Sequence, residues 1–579
     1  MSEEASKLPK DIAAAEGKVN VQINGTWHRF PRGTRIADAC RSVGVPIPCF
    51  CYHPKLAVAG SCRMCMVEQG MPPRLAPGQT PSYDENGYQR IQWMPRPIIS
   101  CANTVAENMG IRTDSPLASE ARRGVMEFLL TSHPLDCPIC DQAGECKLQE
   151  YSNDYGQVEG RFEEKKTKKG KKPEAIGPRV NLDQERCVLC GRCVRFMRDI
   201  MHDEVLTMSQ RGTFNAITVY PGRELDSNYS MNTVDLCPVG ALTSKDFRFK
   251  MRVWFLKETK TIDVDCGTGT NITLWTREDK VYRITPRQND AVNSCWMPDS
   301  HRLNYKYINA ETRIPQPVIR TDAEAPHRPS TWEPALASAA EAVKRIAPNQ
   351  LAIIASGRMT NEELYMVRHL AAQISTDMVD IVPRMGESDG MLISADRNPN
   401  TNGARLVLDI EPGSRLDAIR EGVRSGSIKG ILSLGEDLIS PEAGFTAEDL
   451  DKLDYLFMTA HSANETARHA DLVLPGVTYA EKFGTMINVT GRIQRLNRAI
   501  QPIGYARDDW QIFRDITLLL GGNPALKDFN SALDILTAMS TEYGALNGVS
   551  WGSIGDGGQP ILETGVTIPV VEREKNQGR

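Results

Sequence analysis

Residues 186–195 read RCVLCGRCVR and place Cys187, Cys190 and Cys193 at C-x2-C-x2-C spacing. That spacing points three thiolates from one short loop into a common cavity, as a cubane iron–sulfur cluster needs. In a two-cluster bacterial ferredoxin a fourth Cys stands after three intervening residues, before a proline, and serves the second cluster. Here Met197 fills that slot, and the Cys-Pro pair comes instead at Cys237-Pro238 in LCPVGAL. The pattern predicts one [4Fe–4S] site on Cys187, Cys190, Cys193 and Cys237. Free buried cysteines would pack as small hydrophobes, and packing gives them no reason to repeat at ligand spacing.

Working outward, Cys51, Cys62 and Cys65 form C-x10-C-x2-C, and Cys101 follows in ISCAN. Three thiolates on one loop and one on a later strand suit a [2Fe–2S] cluster, held as in plant-type ferredoxins at longer spacing. Gly60 permits a tight turn beside it, and Arg63 with nearby backbone N–H groups is expected to stabilise the anionic cluster. Cys49 is a rival for Cys51 that the sequence leaves open, whereas Cys40, in the apolar helix IADAC, reads as core. Between these two motifs, HPLDCPICDQAGEC sets His133, Cys137, Cys140 and Cys146 at H-x3-C-x2-C-x5-C. Taken alone, one imidazole and three thiolates can hold zinc. Two neighbouring iron–sulfur motifs favour a second [4Fe–4S] site, against the plainer reading of His133 as a histidine placed at a helix C-terminus by the dipole. Exchanging a thiolate for a neutral imidazole removes one negative charge and raises the cluster potential, and the free ring nitrogen ties redox state to protonation.

The totals agree with a chain of modules. The chain has 579 residues, enough for three or four domains, and a net charge of −5 that argues for neither a nucleic-acid binder nor an acidic tail. All fifteen cysteines lie between Cys40 and Cys295, so the metal chemistry is confined to the N-terminal half. A secreted disulfide framework is disfavoured, because MSEEASKLPKDIAAAEGK has neither an apolar signal core nor a twin-arginine pair, and a reducing cytoplasmic compartment is expected. No run approaches the roughly 18 to 20 apolar residues of a membrane span. Any membrane association is therefore expected through partners.

Local patterns give the elements. Val19, Val21 and Ile23 alternate as a strand, Asn24-Gly25 offers a hairpin turn, and a short helix is expected over Ile36 to Val43. Residues 115–131 form the clearest helix, capped by Ser115 with Pro116 at its first position, and Leu117, Ala121, Val125, Phe128 and Leu129 share one face. Residues 163–173 (EEKKTKKGKKP) are a solvated charge run, with a docking patch as the alternative. Beyond about residue 250, apolar runs at 351, 428, 454 and 470 alternate with helical stretches such as Asn361 to Ser375. That is the signature of an open parallel α/β sheet buried on both faces. The expected modules are a [2Fe–2S] ferredoxin-like domain of β-grasp type at 17–103, a one-His/three-Cys module at 104–155, a [4Fe–4S] ferredoxin-like module at 156–250 and an α/β domain at 251–579.

This order of sites closely resembles the family of the large iron–sulfur subunit of respiratory complex I, the NADH-quinone oxidoreductase. FCYHPKLAVAGSCRMCMVE, HPLDCPICDQAGECKLQ, RCVLCGRCVRF and CPVGALT carry the resemblance over the first 250 residues or so. ADLVLPGVTYAEKFGTMINVTGRIQ, within residues 461–495, more broadly resembles the molybdopterin oxidoreductase superfamily. The resemblance implies the same twelve ligands, and an electron relay from a partner NADH/FMN-binding subunit, by way of further iron–sulfur subunits, toward quinone. It also implies a peripheral position on the cytoplasmic side of the inner (plasma) membrane, with proton translocation left to other subunits. No strand–GxGxxG–helix unit is present, so the nicotinamide site is expected on the partner. Some family members carry a further [4Fe–4S] site at the start of the α/β domain. Here VDCGTGTNITLW keeps only Cys266, and Cys295 lies in NSCWMPDS, so that cluster is expected to be absent. With no Cys after Cys295, and a chain ending before the superfamily's usual last cofactor-binding segment, the α/β domain is expected to be a scaffold without molybdopterin. The rivals are a terminal hydrogenase or formate dehydrogenase, a diaphorase-type relay subunit of a soluble NAD-linked hydrogenase, and a structural zinc protein.

Overall fold

The computed structural model describes residues 17–84, 87–168, 174–320 and 325–576. The N-terminal leader and the end of the 163–173 charge run lie outside the described residues. The chain forms two compact units, residues 1–254 and 255–579.

In the first unit, strand Lys18–Ile23 pairs antiparallel with Thr26–Pro31. Asn24 and Gly25 both take positive φ, 47° and 89°, the primed turn that matches strand twist. Lys18–Ile23 also lies parallel to Met109–Arg112, which pairs antiparallel with Met66–Met71. Helix Ile36–Ser42 closes the core of this mixed sheet with Ile36, Ala39 and Cys40, all fully buried beside Val19, Val21 and Ile111. Burial pushes the Cys40 thiol up to about 12, as expected of a core cysteine.

Helix Pro116–Ser132 begins where the sequence places it, with Ser115 Oγ accepting from the Ala118 N–H. Its buried residues, however, are Ala118, Arg122 and Met126. The expected apolar stripe is half-buried at Leu117, Ala121, Val125 and Leu129, and Phe128 is 80% exposed. The hydrophobic period located the helix but not the face it turns inward, because Arg122 is held inside by donating to the Met66 carbonyl. Near the far end of this helix, the described part of the charge run is anchored. Lys166 Nζ donates to the Leu130 carbonyl at 2.5 Å, a cation on the orphan carbonyls of a helix C-terminus.

The second unit opens with an antiparallel sheet of Lys257–Ile262, Asn271–Arg277 and Lys280–Pro286. A seven-stranded sheet follows, in the order Arg328–Pro329, Val318–Ile319, Leu472–Pro475, Tyr455–Ala460, Gly430–Leu434, Leu351–Ala355 and Val379–Ile381. The last five are mutually parallel, and they include all four apolar runs read from the sequence. Successive residues feed opposite cores. Ile353, Leu432 and Phe457 pack with Leu336, Leu364 and Phe513 from helices Trp332–Arg345, Asn361–Ile374 and Asp509–Leu519. Ile354, Ile431 and Met458 pack with Leu416, Ile419 and Val423 of helix Leu416–Ser425 on the other face. Two covered faces explain why these strands are apolar without alternation.

Helix Asn361–Ile374 starts at a capping box of Thr360 and Glu363. Glu362, at its second position, accepts from the Thr485 N–H and hydroxyl at 2.8 Å each. Burial nevertheless outweighs those bonds and pushes the Glu362 carboxyl up to about 7. A carboxyl raised in the folded state binds more protons there than in the unfolded chain, so its contribution is fully present below about pH 4.5 and is lost as pH rises through about 7. The loss amounts to about 3 kcal/mol. We expect urea unfolding to show stability falling across this window, and Glu362→Gln, which cannot ionise, to flatten that fall.

Candidate metal centres

The sulfurs of Cys51, Cys62, Cys65 and Cys101 meet in one place. Side-chain hydrogen bonds join Cys51 to Cys101 and Cys62, and Cys65 to Cys101. The Cys51 N–H also points at Cys62 Sγ, 3.4 Å away. The bond from Cys101 lowers Cys51 and brings Cys65 down to about 6, while sharing with Cys51 raises Cys62 and Cys101. Sulfurs this close share protons because four bare thiolates would repel, and a cationic iron core removes that conflict. Cys49 stands outside the set, its Sγ directed at the Tyr52 carbonyl at 3.7 Å, and burial raises its thiol. Gly60 and Arg63 take positive φ, 62° and 60°, which turns the loop back on itself.

Arg63 is exposed, and a second cation lies closer to the loop backbone. It is Arg195, a buried guanidinium that donates to the Cys51 carbonyl at 2.5 Å, to the Cys190 carbonyl at 3.2 Å and to the Ala57 carbonyl. Arg192 adds a bond to the Tyr52 carbonyl at 2.5 Å. The Cys51 loop and the Cys190 loop are thus bound to the same cation, Arg195. Sequence reading missed these two arginines. The signal was present, since both stand within the cysteine motif, but nothing in the spacing says which loop they grip.

Cys187, Cys190, Cys193 and Cys237 line one small cavity walled by Leu182, Val188, Ile217 and Leu242. Gly191 in left-handed conformation starts helix Arg192–Asp199, which carries Cys193 into the cavity. Cys237 caps helix Asn232–Leu236. Burial raises Cys190 and Cys193, and pushes Cys237 up to about 11. A pocket that disfavours thiolates yet gathers four sulfurs suits a metal core that supplies the compensating charge.

His133, Cys137, Cys140 and Cys146 share a small cavity with Gln149, Arg186 and Gly240. His133 is the C-cap of helix Pro116–Ser132, so the plainer placement and the ligand placement coincide. Arg252 donates to the Cys140 carbonyl at 2.5 Å. This centre abuts the previous one. A Cβ on Gly240 would stand 2.4 Å from Cys140 Sγ, so only glycine fits there, and the Lys147 N–H donates to the Pro238 carbonyl at 2.9 Å. Gly240 is therefore required for close approach more than for the turn. Three-dimensional order differs from chain order, because the Cys187 set touches both of the others. The outer side of the His133 set is open, with Cys137 exposed among Leu135, 75% exposed, and Ile139, 64% exposed.

Family models match in the order of the modules. They are described as a 2Fe-2S iron-sulfur cluster binding domain (16–116), an NADH-ubiquinone oxidoreductase-G iron-sulfur binding region (122–161), and an NADH-quinone oxidoreductase subunit 3 ferredoxin-like domain (177–243). An NDSU1/NuoG-like 4Fe-4S domain (256–306) and a molybdopterin oxidoreductase domain (397–517) follow. The mitochondrial 78 kDa subunit of NADH-ubiquinone oxidoreductase from Candida albicans is 31% identical, covering 89% of this chain and 84% of that protein. The chain belongs to the family of this large iron–sulfur subunit. Its bacterial counterpart in the NADH-quinone oxidoreductase of Rickettsia felis is 30% identical over 86% of this chain and 87% of its own. A chain of an NAD+-reducing [NiFe]-hydrogenase is 26% identical, with a TM-score of 0.33 over 41% of this chain and 91% of that one. A score that low decides nothing about fold or function. The chain is an iron–sulfur electron-transfer subunit of the oxidoreductase, with 2Fe-2S and 4Fe-4S binding domains. Among the described residues, no helix is long and apolar enough to cross a membrane.

Proposed function

We propose that the chain holds one [2Fe–2S] cluster on Cys51, Cys62, Cys65 and Cys101, and two [4Fe–4S] clusters. The cubanes are held by Cys187, Cys190, Cys193 and Cys237, and by His133, Cys137, Cys140 and Cys146. When bound, these groups supply one-electron carriage. The chain's own work is to hold the three ligand sets next to one another, to set their charge and to keep water out. The observation that carries this reading is the guanidinium of Arg195, bonded to carbonyls of both Cys51 and Cys190. With the Lys147 to Pro238 bond it supports the order binuclear site, Cys187 site, His133 site. Imidazole ligation raises potential, so the His133 set is the downstream end. Its open, apolar side is where the next iron–sulfur subunit docks, and the NADH/FMN-binding subunit lies upstream. The chain sits peripherally on the cytoplasmic side of the membrane, attached through those partners. Low-temperature EPR of the reduced chain with iron and sulfide counts is the test, and about ten irons are expected. A count near fourteen would restore the fourth cluster, and zinc in place of iron would remove the relay.

We read the α/β domain as a scaffold without molybdopterin. The polar residues of its signature segment are engaged by the chain itself. Glu481 accepts from Arg313 at 2.6 Å, Lys482 donates to Glu363 at 2.8 Å and Asn488 to the Thr268 carbonyl at 3.0 Å. Molybdenum and tungsten analysis of the assembled complex tests this, and stoichiometric metal overturns it.

His133→Cys should leave the downstream cluster assembled and lower its midpoint potential by on the order of 100 mV, since the two imidazole-for-thiolate exchanges of Rieske centres together raise potential by roughly 250 to 700 mV. Redox titration followed by EPR reads the shift, and an unmoved potential would place His133 outside the coordination sphere.

A further inference from the structure

One cluster of metal-binding side chains in the second unit is used by nothing described so far. The loop between strands Lys257–Ile262 and Asn271–Arg277 carries Asp263 and Cys266, and the short helix Asp299–Arg302 carries His301. One oxygen, one sulfur and one nitrogen from these three side chains all lie within 4.8 Å of one another. All three residues are buried, at 3%, 0% and 8% exposure.

Their chemistry narrows the occupant. Calcium and magnesium take oxygen donors, and a cubane takes thiolates with at most one or two imidazoles. One carboxylate, one thiolate and one imidazole suit Zn²⁺, which is borderline-soft and accepts O, S and N at 2.0 to 2.3 Å, roughly. Contacts within the chain leave the sulfur least explained. His301 Nδ1 and Asp263 Oδ2 are 2.7 Å apart, but Cys266 Sγ is 3.8 Å from the Leu392 carbonyl, a weak use of a thiol. The frame around it has little slack. Gly267 donates to the Asp396 carbonyl at 2.9 Å and accepts from Val489 at 2.7 Å, and a Cβ at Gly267 would stand 2.4 Å from Val489 Cγ1. Thr268 Oγ1 donates to the Leu392 carbonyl at 2.6 Å, and Asn304 holds Asp265, between the two loop donors, at 2.7 Å. Donors on so fixed a frame need close by only about 1 Å of side-chain rotation to reach bonding separations.

We propose that Asp263, Cys266 and His301 bind a single Zn²⁺, with water in the fourth position. The ion cross-links the first hairpin of the second unit to the helix at 299–302. It lies in the segment that matches the 4Fe-4S domain model, at residues 256–306, where Cys266 and Cys295 are the only cysteines. Zinc has no redox chemistry, so the site stands apart from the relay.

The assembled complex, equilibrated with micromolar zinc and washed, is the material to test. Metal analysis should give one zinc per chain, and X-ray absorption at the zinc edge should show one sulfur with nitrogen and oxygen neighbours. Cys266→Ser and His301→Gln should each lower zinc affinity by at least tenfold, with the iron count and EPR signals unchanged. Zinc with three or four sulfur neighbours would be occupying a cluster site and would overturn the proposal. So would the absence of zinc from the unsubstituted protein, or its retention in both variants. The absorption spectrum of the unsubstituted protein decides the matter even if a variant fails to fold.

Discussion

Replacing Cys193 by Ala should remove the central cubane and stop electron delivery altogether. The iron count falls from about ten to about six, while the binuclear signal and the His133-set signal persist. In the assembled complex, NADH oxidation by an artificial acceptor at the flavin-bearing partner continues, and quinone reduction drops to background. The expectation follows from position. Cys193 is buried on the first turn of helix Arg192–Asp199, inside a cavity whose apolar walls offer no substitute ligand. The Cys187 set is joined to both others, by Arg195 on one side and by Gly240 and the Lys147 to Pro238 bond on the other. Losing an end of the chain shortens a relay, but losing the middle leaves a gap that neither neighbour spans. Quinone reduction that persisted at normal rate in a chain with six irons would mean that the ligand sets do not act in series.

How much of this could be read from the residues is uneven, and the unevenness has physical causes. Which cysteines gather was legible because few pressures other than coordination produce spacing such as that of Cys187, Cys190 and Cys193, and these side chains do line one cavity. The parallel sheet was legible because burial on two faces leaves a continuous apolar run, as in Leu351–Ala355. Which cysteine of the pair Cys49 and Cys51 faces the other three was not legible, since one residue separates them and only the fold sets their directions. Nor was the spatial order of the sites, because it rests on long-range bonds from Arg195 to a loop some 140 residues earlier. The inward face of helix Pro116–Ser132 was not legible for a related reason. An apolar stripe is required wherever a surface is to be covered, and a neighbouring subunit covers as well as a core does. Asp263 and His301 gave no signal, because Asp, Cys and His at scattered positions are common and only folding gathers them.

The largest effect on stability is expected at Lys482, in the signature segment of the second unit. Its ammonium donates to both oxygens of Glu363 at 2.8 Å, and both side chains are buried. Burial alone would lower the lysine, yet the charges of Glu363 and Asp509 hold it raised and protonated. Glu363 also accepts from the Thr360 N–H at 2.8 Å and so starts helix Asn361–Ile374. Lys482→Met fills the space of the aliphatic stem and removes only the charge. It leaves the Glu363 carboxylate buried with Asp509 and no cation, a situation that costs about 3–5 kcal/mol. Urea unfolding should therefore show a lower midpoint at unchanged slope. Adding Glu363→Gln should recover much of the loss, because the amide oxygen can still cap the helix while the stranded charge is gone. The sign of the pH dependence separates this account from simple loss of packing. Burial and the Glu363 charge already push the Asp509 carboxyl up to about 7 against the pull of Lys482, so without the lysine its protonation relieves the conflict and the deficit shrinks as pH falls. A packing defect would cost the same at pH 5 as at pH 8.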